Sequence, residues 1–389
     1  MKFLLLIIFI SSFVKAANLE LIAEIRGKMM TSPKSAIFSH DGKKIYINAL
    51  ESFQTIVINT LGLDLNTTIL HKFDAKNQAL FKDNESSTDD DIFITKTKNP
   101  NYFSGKPVEF ATSHGGRYLY TSYYRRSYDQ NATSPSALAV IDTKSDEIVR
   151  VIPTCPLPKS LAVSPQSKKL AVICWGDNSV RILDISSENP FDFSYEKVLR
   201  AGKKPNLTAL GGDRDKNCSM CLRGGAFSED GRYLFVGIMK GGGIAVFDVL
   251  EGKKLGIFTN VPPTPRHIIR DENTLFVSSS YSGYITKLEI SGILDAINGT
   301  NPQYKGQSLK VPKGARTIAK HADYLFVACN ADSLLVMVDI KNWQIVASVK
   351  IPPYAVGLAL SKSGKSAIVT SQGKEGKGGH VLSVVRIHY

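Results

Sequence analysis

The sequence predicts an all-β fold: a seven-bladed β-propeller closed by an N-terminal strand that completes the last blade. Three observations predict it. One phrase, two short apolar strands around a tight polar turn, recurs seven times along 389 residues. It recurs at roughly the 40–50 residues that a four-stranded blade occupies. The last copy lacks an outer strand, and the chain's own beginning reads as one.

The seven copies are PKSAIFSHDGKKIYIN from Pro33, PVEFATSHGGRYLYTS from Pro107, PKSLAVSPQSKKLAVIC from Pro158, LRGGAFSEDGRYLFVG from Leu222, PRHIIRDENTLFVSS from Pro265, ARTIAKHADYLFVAC from Ala315 and YAVGLALSKSGKSAIVTS from Tyr354. Their turns carry Asp-Gly, Gly-Gly or Ser-Gly, residues that tolerate positive φ. A third strand follows, often ending in an acid: ALAVIDT, SVRILDI, GIAVFDV, GYITKLEI, LLVMVDI. A fourth is visible in DEIVRVI and QIVASVKI. No amphipathic stretch of useful helical length is evident. The final copy stops at its third strand, VLSVVRIHY, while LELIAEIRG at Leu19–Gly27 alternates as a strand should. Joining the two removes an exposed sheet edge. Two segments depart from the period and read as surface excursions: 62–105, with the acidic run DNESSTDDD, and 123–137, YYRRSYDQNATSPSA.

Ahead of the repeats, Lys2, the apolar run FLLLIIFISSFV and Val14-Lys15-Ala16-Ala17 have the parts of a secretory signal peptide. Residues 1–16 are therefore expected to be removed near Ala16, leaving one propeller domain over 17–389. The run is short of the about 20 residues a membrane span needs, and no second such segment follows. A periplasmic or secreted protein without a membrane span is expected. The formal charge of +13 falls to +11 without Lys2 and Lys15, a balance that favours anionic partners. In an oxidising compartment the five cysteines tend to pair, and an odd count leaves one over.

The repeated shape, as in LRGGAFSEDGRYLFV, resembles the YVTN-repeat family of seven-bladed β-propellers, exported bacterial members included, over residues 19–389. The resemblance implies fold. It leaves function open, because this architecture hosts enzymes, cofactor holders and binding scaffolds.

The strongest candidate site is one position of the repeat. Lys34, Lys159, Arg223, Arg266 and Arg316 open the first strand in five of seven blades; blade 2 has Val108 there and blade 7 Ala355 or Val356. First strands line the central channel, so these cations would ring its mouth and hold a carboxylate or phosphate. The alternative is a basic residue that hydrogen-bonds neighbouring blade backbones. His267 lies beside Arg266. Pro-Arg-His resembles the lactonase branch of propellers, whose following strand closes with an Asn-Glu pair; TLFVSSSYSG has no acid there. Glu109 faces the mouth by alignment.

Cys155, Cys174, Cys218 and Cys221 belong to blades 3 and 4 and are expected to form one or two disulfides stapling those blades. Cys218-Ser219-Met220-Cys221 also reads as a redox pair or, with His267, as a soft-metal site. Leu222 after the pair argues against covalent c-type haem. SYYRRSY at 122–128 has aromatics beside cations, which suits nucleic acid in vitro only. The acidic run at 83–91 lacks the ligand spacing of a calcium loop. Sequons occur at Asn66, Asn84, Asn131, Asn206, Asn217 and Asn298. At Asn66, Asn131 and Asn217 an Asp stands two residues earlier, which resembles the acceptor of bacterial N-glycosylation. Together these readings describe an exported, non-enzymatic scaffold for an anionic ligand or an acidic protein partner, with no cofactor predicted. The alternative is a periplasmic oxidoreductase component or a metal- or haem-binding propeller.

Overall fold

The computed structural model describes residues 17–82, 99–205, 212–373 and 379–389. They form seven antiparallel sheets arranged as seven blades. The inner strands are Pro33–Phe38, Phe103–Ser113, Pro158–Val163, Leu222–Phe227, Pro265–Asp271, Ala315–His321 and Ala355–Leu360. In blade 7, Asn18–Arg26 pairs with Val381–His388 from Asn18 opposite His388 to Arg26 opposite Val381. The N-terminal strand thus closes the ring. Among the described residues no helix is long and apolar enough to cross a membrane. The expected signal peptide, the acidic run and the sequons at Asn84 and Asn206 lie outside the described residues.

The core lies between blades. Phe235 and Val246 of blade 4 pack with Leu275 and Val277 of blade 5, and Phe276 with Val327 and Val336 of blade 6. A blade's two faces are both apolar, so each needs a neighbour, which is why the phrase recurs. Between blades 1 and 2 the apolar core of Val57, Ile69, Leu119 and Ile141 is joined by a buried polar cluster. Buried His71 sits 2.8 Å from Thr55 Oγ1 and 2.9 Å from the Tyr123 hydroxyl, and burial pushes its pKa down to about 3.

Three expectations need correction. The 62–105 segment is not wholly a surface excursion. Lys72–Phe73 adds a fifth strand to blade 2, and Phe73, Phe81 and Phe103 pack around buried Tyr123. In the 123–137 stretch, the strand Tyr118–Arg126 runs on before the loop begins. A helix does occur, Ile290–Asn298, in blade 5. Ile290, Ile293 and Ile297 share its buried face, and Gly299 ends it with φ 81°. Nine residues give too few apolar repeats for the period to stand out.

The four cysteines expected to pair do form two disulfides, and only what they join differs from expectation. Cys155 bonds Cys174 within blade 3, and Cys218 bonds Cys221 within the loop entering blade 4, so neither staples two blades. The hairpin explains the first. Cys174 pairs opposite Pro158 at the end of the second strand, which leaves the thiol of Cys155 nearer than any in the next blade. Cys329 is free and buried.

Candidate functional site: the channel mouth

Each inner strand begins with the same two irregularities. The residue before it is left-handed in six blades: Ser32, Leu157, Cys221, Thr264, Gly314 and Tyr354, with φ between 51° and 80°. The pairing of inner and second strand then slips in all seven blades, and the slip skips Lys34, Lys159, Arg223, Arg266 and Arg316. A bulge re-aims a side chain out of the strand's alternation. Here it turns each cation toward the mouth of the channel.

The backbone there is held by the preceding blade. Thr370 donates to the Lys34 carbonyl at 3.0 Å, Ser278 to that of Arg316 at 2.8 Å, Ser35 to that of Val108 at 2.6 Å and Thr317 to that of Val356 at 2.7 Å. Glycine permits the close approach at two points. A Cβ on Gly224 would stand 2.7 Å from the Arg266 carbonyl oxygen, and one on Gly357 2.7 Å from that of Lys34. The blade-to-blade bonds therefore use carbonyls of these residues. None of the five cationic groups bonds a neighbouring blade's backbone among the described residues.

The five cations divide into two kinds. Arg223 donates to Glu109 at 3.0 Å. Lys159 pairs with Asp215 and stands 3.8 Å from the centre of the Trp175 ring and 5.1 Å from that of Tyr124. Burial pushes the Lys159 pKa down to about 7, against the pull of Asp215. Burial opposes the ionised form of Asp215 too, yet Lys159 and Tyr124 hold it below the usual carboxylate range. Lys34, Arg266 and Arg316, by contrast, have no carboxylate within ion-pair distance among the described residues. Arg266 donates to Met239 Sδ at 3.5 Å, and Arg316 lies over the Tyr354 ring at 5.5 Å. Burial, then Arg316 and Arg223, push the Lys34 pKa well below its ordinary value. Burial, then like-charged neighbours, lower Arg266 and Arg316 as well. A guanidinium keeps its proton in proteins, so the repulsion persists.

His267 is half-buried beside them. Its Nδ1 accepts from the Ile318 N–H at 3.4 Å, and burial, then Arg223 and Arg266, hold its pKa down to about 4. It is neutral at ordinary pH. Among the metal candidates, Cys218 and Cys221 are spent on their disulfide, and the Met220 thioether packs against Gly202. The described residues contain no group of three or more His, Cys, Asp or Glu placed to hold a metal. Asn66, Asn131 and Asn217 are all exposed.

Sequence reading placed Glu109 at the mouth but missed Asp215. Asp215 belongs to a third departure from the period, the connection 201–221, whose length was a signal. That loop meets the blade 2 loop over blade 3: Arg214 N–H donates to the Asn131 carbonyl at 2.9 Å, and Asp213 pairs with Arg125 at 3.0 Å. The Trp175 indole fixes the Asp215 carbonyl at 3.1 Å.

No family model and no curated protein matches the sequence. Solved structures do. The β-propeller domain of Cps50 (Swd1) from Myceliophteria thermophila is 10% identical, with a TM-score of 0.64 over 95% of this chain and 100% of that one. The fold is a β-propeller. A chain of hydrazine synthase from Kuenenia stuttgartiensis is 13% identical, with a TM-score of 0.62 over 93% of this chain and 97% of that one. A chain of the mitotic checkpoint complex is 10% identical, with a TM-score of 0.64 over 95% of each. Likeness at such identity establishes the fold alone.

Proposed function

We propose that this propeller, of the exported YVTN-repeat type, is a scaffold that binds a small anion at the channel mouth. One observation carries the reading. Lys34, Arg266 and Arg316 converge without a carboxylate partner, and like charges so placed are costly until an anion joins them. Burial favours a small ligand over a flat acidic surface. Arg316 is 6% exposed and Lys34 and Arg266 are half-buried, so a protein partner would have to insert a carboxylate. Export is supported by the N-terminal sequence and by the two disulfides, which suit an oxidising compartment.

The test is calorimetric titration of the mature protein with inorganic phosphate and with sulfate. Binding is expected in the wild type and lost in the Arg266→Gln, Arg316→Gln double variant. Equal affinity in both proteins would overturn the assignment.

We also propose N-glycosylation at Asn66, Asn131 and Asn217. In the folded chain the acid two residues earlier is engaged each time: Asp64 by Asn59 at 2.9 Å, Asp129 by the Ser134 N–H at 2.8 Å and Asp215 by Lys159. An enzyme that reads that acid would meet it free before folding. A native intact mass equal to the bare chain would sink this proposal.

A further inference from the structure

The channel beneath the basic cluster changes chemistry with depth. Inner strands run along it, so sequence position measures depth at about 3.3 Å per residue. First come the bulged cations, then Glu109, His267 and Thr317. One to three residues deeper, one side turns apolar: Ile37 and Phe38 of blade 1, Phe110 of blade 2, Leu358 and Leu360 of blade 7. At the far end His40 and Lys362 restore polarity. The space, open to solvent and lined from one residue below Lys34, Arg266 and Arg316, is about 480 Å³, the size of a small-molecule site. Ile37, Phe38, Phe110 and Leu360 each keep part of their surface open. Apolar surface lining a channel below a cluster of uncompensated cations is the complement of a molecule with one charged end and one apolar end.

We propose that the ligand is an anionic amphiphile, with a carboxylate or phosphate head on Lys34, Arg266 and Arg316 and a hydrocarbon stem on the wall formed by blades 1, 2 and 7. This rests on the anion-site reading above. A sugar or polyol fits less well: below Glu109 and His267 it would meet Ile37, Phe38, Phe110, Leu358 and Leu360, with few partners for its hydroxyls before Thr112 and Ser39. From Ser35 to Phe38 the channel descends about 10 Å, which a stem of roughly 8–10 carbons spans. Longer stems reach His40 and Lys362 and gain nothing further.

The experiment is a chain-length series on the mature, disulfide-intact protein. Acetate, butanoate, hexanoate, octanoate and dodecanoate form one arm, and inorganic, butyl and octyl phosphate the other, all below their micelle concentrations. Affinity is expected to rise about two- to fourfold per added methylene and to level off beyond about ten carbons. The two arms show which head the site prefers. Leu360→Asn is expected to weaken octanoate about tenfold and to leave inorganic phosphate unchanged; should that variant not fold, the wild-type series decides alone. Phosphate binding without chain-length dependence would overturn the amphiphile and leave the anion site standing. No anion binding at all would remove both. A chain-length slope that survives Arg266→Gln, Arg316→Gln would put the stem elsewhere and overturn the proposal.

Discussion

In blades 3 and 4 the cation at the head of the inner strand has a carboxylate: Lys159 has Asp215, and Arg223 has Glu109. In blades 5, 6 and 1 the same position, with the same bulge, holds Arg266, Arg316 and Lys34 with none among the described residues. One acid of the first sector comes from outside the repeated phrase and the other from a departure within it. Asp215 rides on the 201–221 connection, and Glu109 stands where other blades place Ser, His, Thr or Gly. Pairing thus occupies two of the five cations that the repeat places at this position. Lys159 anchors a loop over blade 3, and Arg223 ties two inner strands together. On the proposed reading, the unmatched cations supply the attraction for a ligand.

Exchanging partners between the sectors breaks this comparison most directly. Arg266→Gln with Arg316→Gln is expected to lower phosphate affinity at least about 100-fold, since charge-assisted hydrogen bonds contribute about 1.5–3 kcal/mol each. The same variant is expected to melt higher than the ligand-free wild type, because it relieves repulsion between buried charges. Asp215→Asn should do the opposite in the matched sector, leaving Lys159 buried and unpaired. A loss of about 2–4 kcal/mol in urea unfolding is expected, with phosphate affinity nearly unchanged. If Asp215→Asn proves neutral, Trp175 and Tyr124 alone hold Lys159 and the sectors do not differ as described.

The disulfides sharpen the matched sector further. Cys155–Cys174 closes 19 residues of chain and Cys218–Cys221 only 3. On loop-closure grounds, Cys155→Ala with Cys174→Ala costs about 3 kcal/mol, and Cys218→Ala with Cys221→Ala about 2. Equal losses by chemical denaturation would mean that Cys218–Cys221 acts through the native loop that carries Asp215, rather than through the unfolded chain.

What the sequence showed and what it hid divide along the same line. Whatever repeats is legible: seven hairpins, the closing strand before Arg26, and the basic position with its five occupants. Repetition lets each copy correct the reading of the others. Glu109 is legible by alignment, but Asp215 is not, because it lies in a connection found once and no period points to it. Nor is the bulge at Lys34, Arg223 or Arg266, since a residue skipped by the pairing leaves no gap in the alternation of apolar side chains. The pairing of Cys155 with Cys174 needed the register of one hairpin, which four thiols at two blades do not specify. The helix at Ile290–Asn298 interrupts a blade for little more than two turns, too short for its period to compete with the strand pattern around it.

The smallest expected effect separates the sectors by protons. Lys34 is pushed down by burial, then by Arg316 and Arg223. Its pKa is thus lower folded than unfolded, and between the two values the unfolded chain holds more protons. The Lys34 contribution to the stability of the empty protein therefore rises with pH across that window and falls as the solution is acidified. A bound anion favours the charged ammonium and raises the Lys34 pKa, so binding takes up a fraction of a proton and affinity falls as pH rises. Stability and affinity then run in opposite directions with pH, and Lys34→Met should flatten both differences. His267, near 4, stays neutral throughout. Lys159, pushed down to about 7 by burial against the pull of Asp215, also exchanges its proton, so the comparison of wild type with Lys34→Met isolates the Lys34 share. Sulfate titrations in buffers of different ionisation enthalpy measure the uptake. Uptake that is zero in the wild type, or that survives undiminished in Lys34→Met, would move the unmatched charge away from Lys34 and leave the two arginines to carry the site.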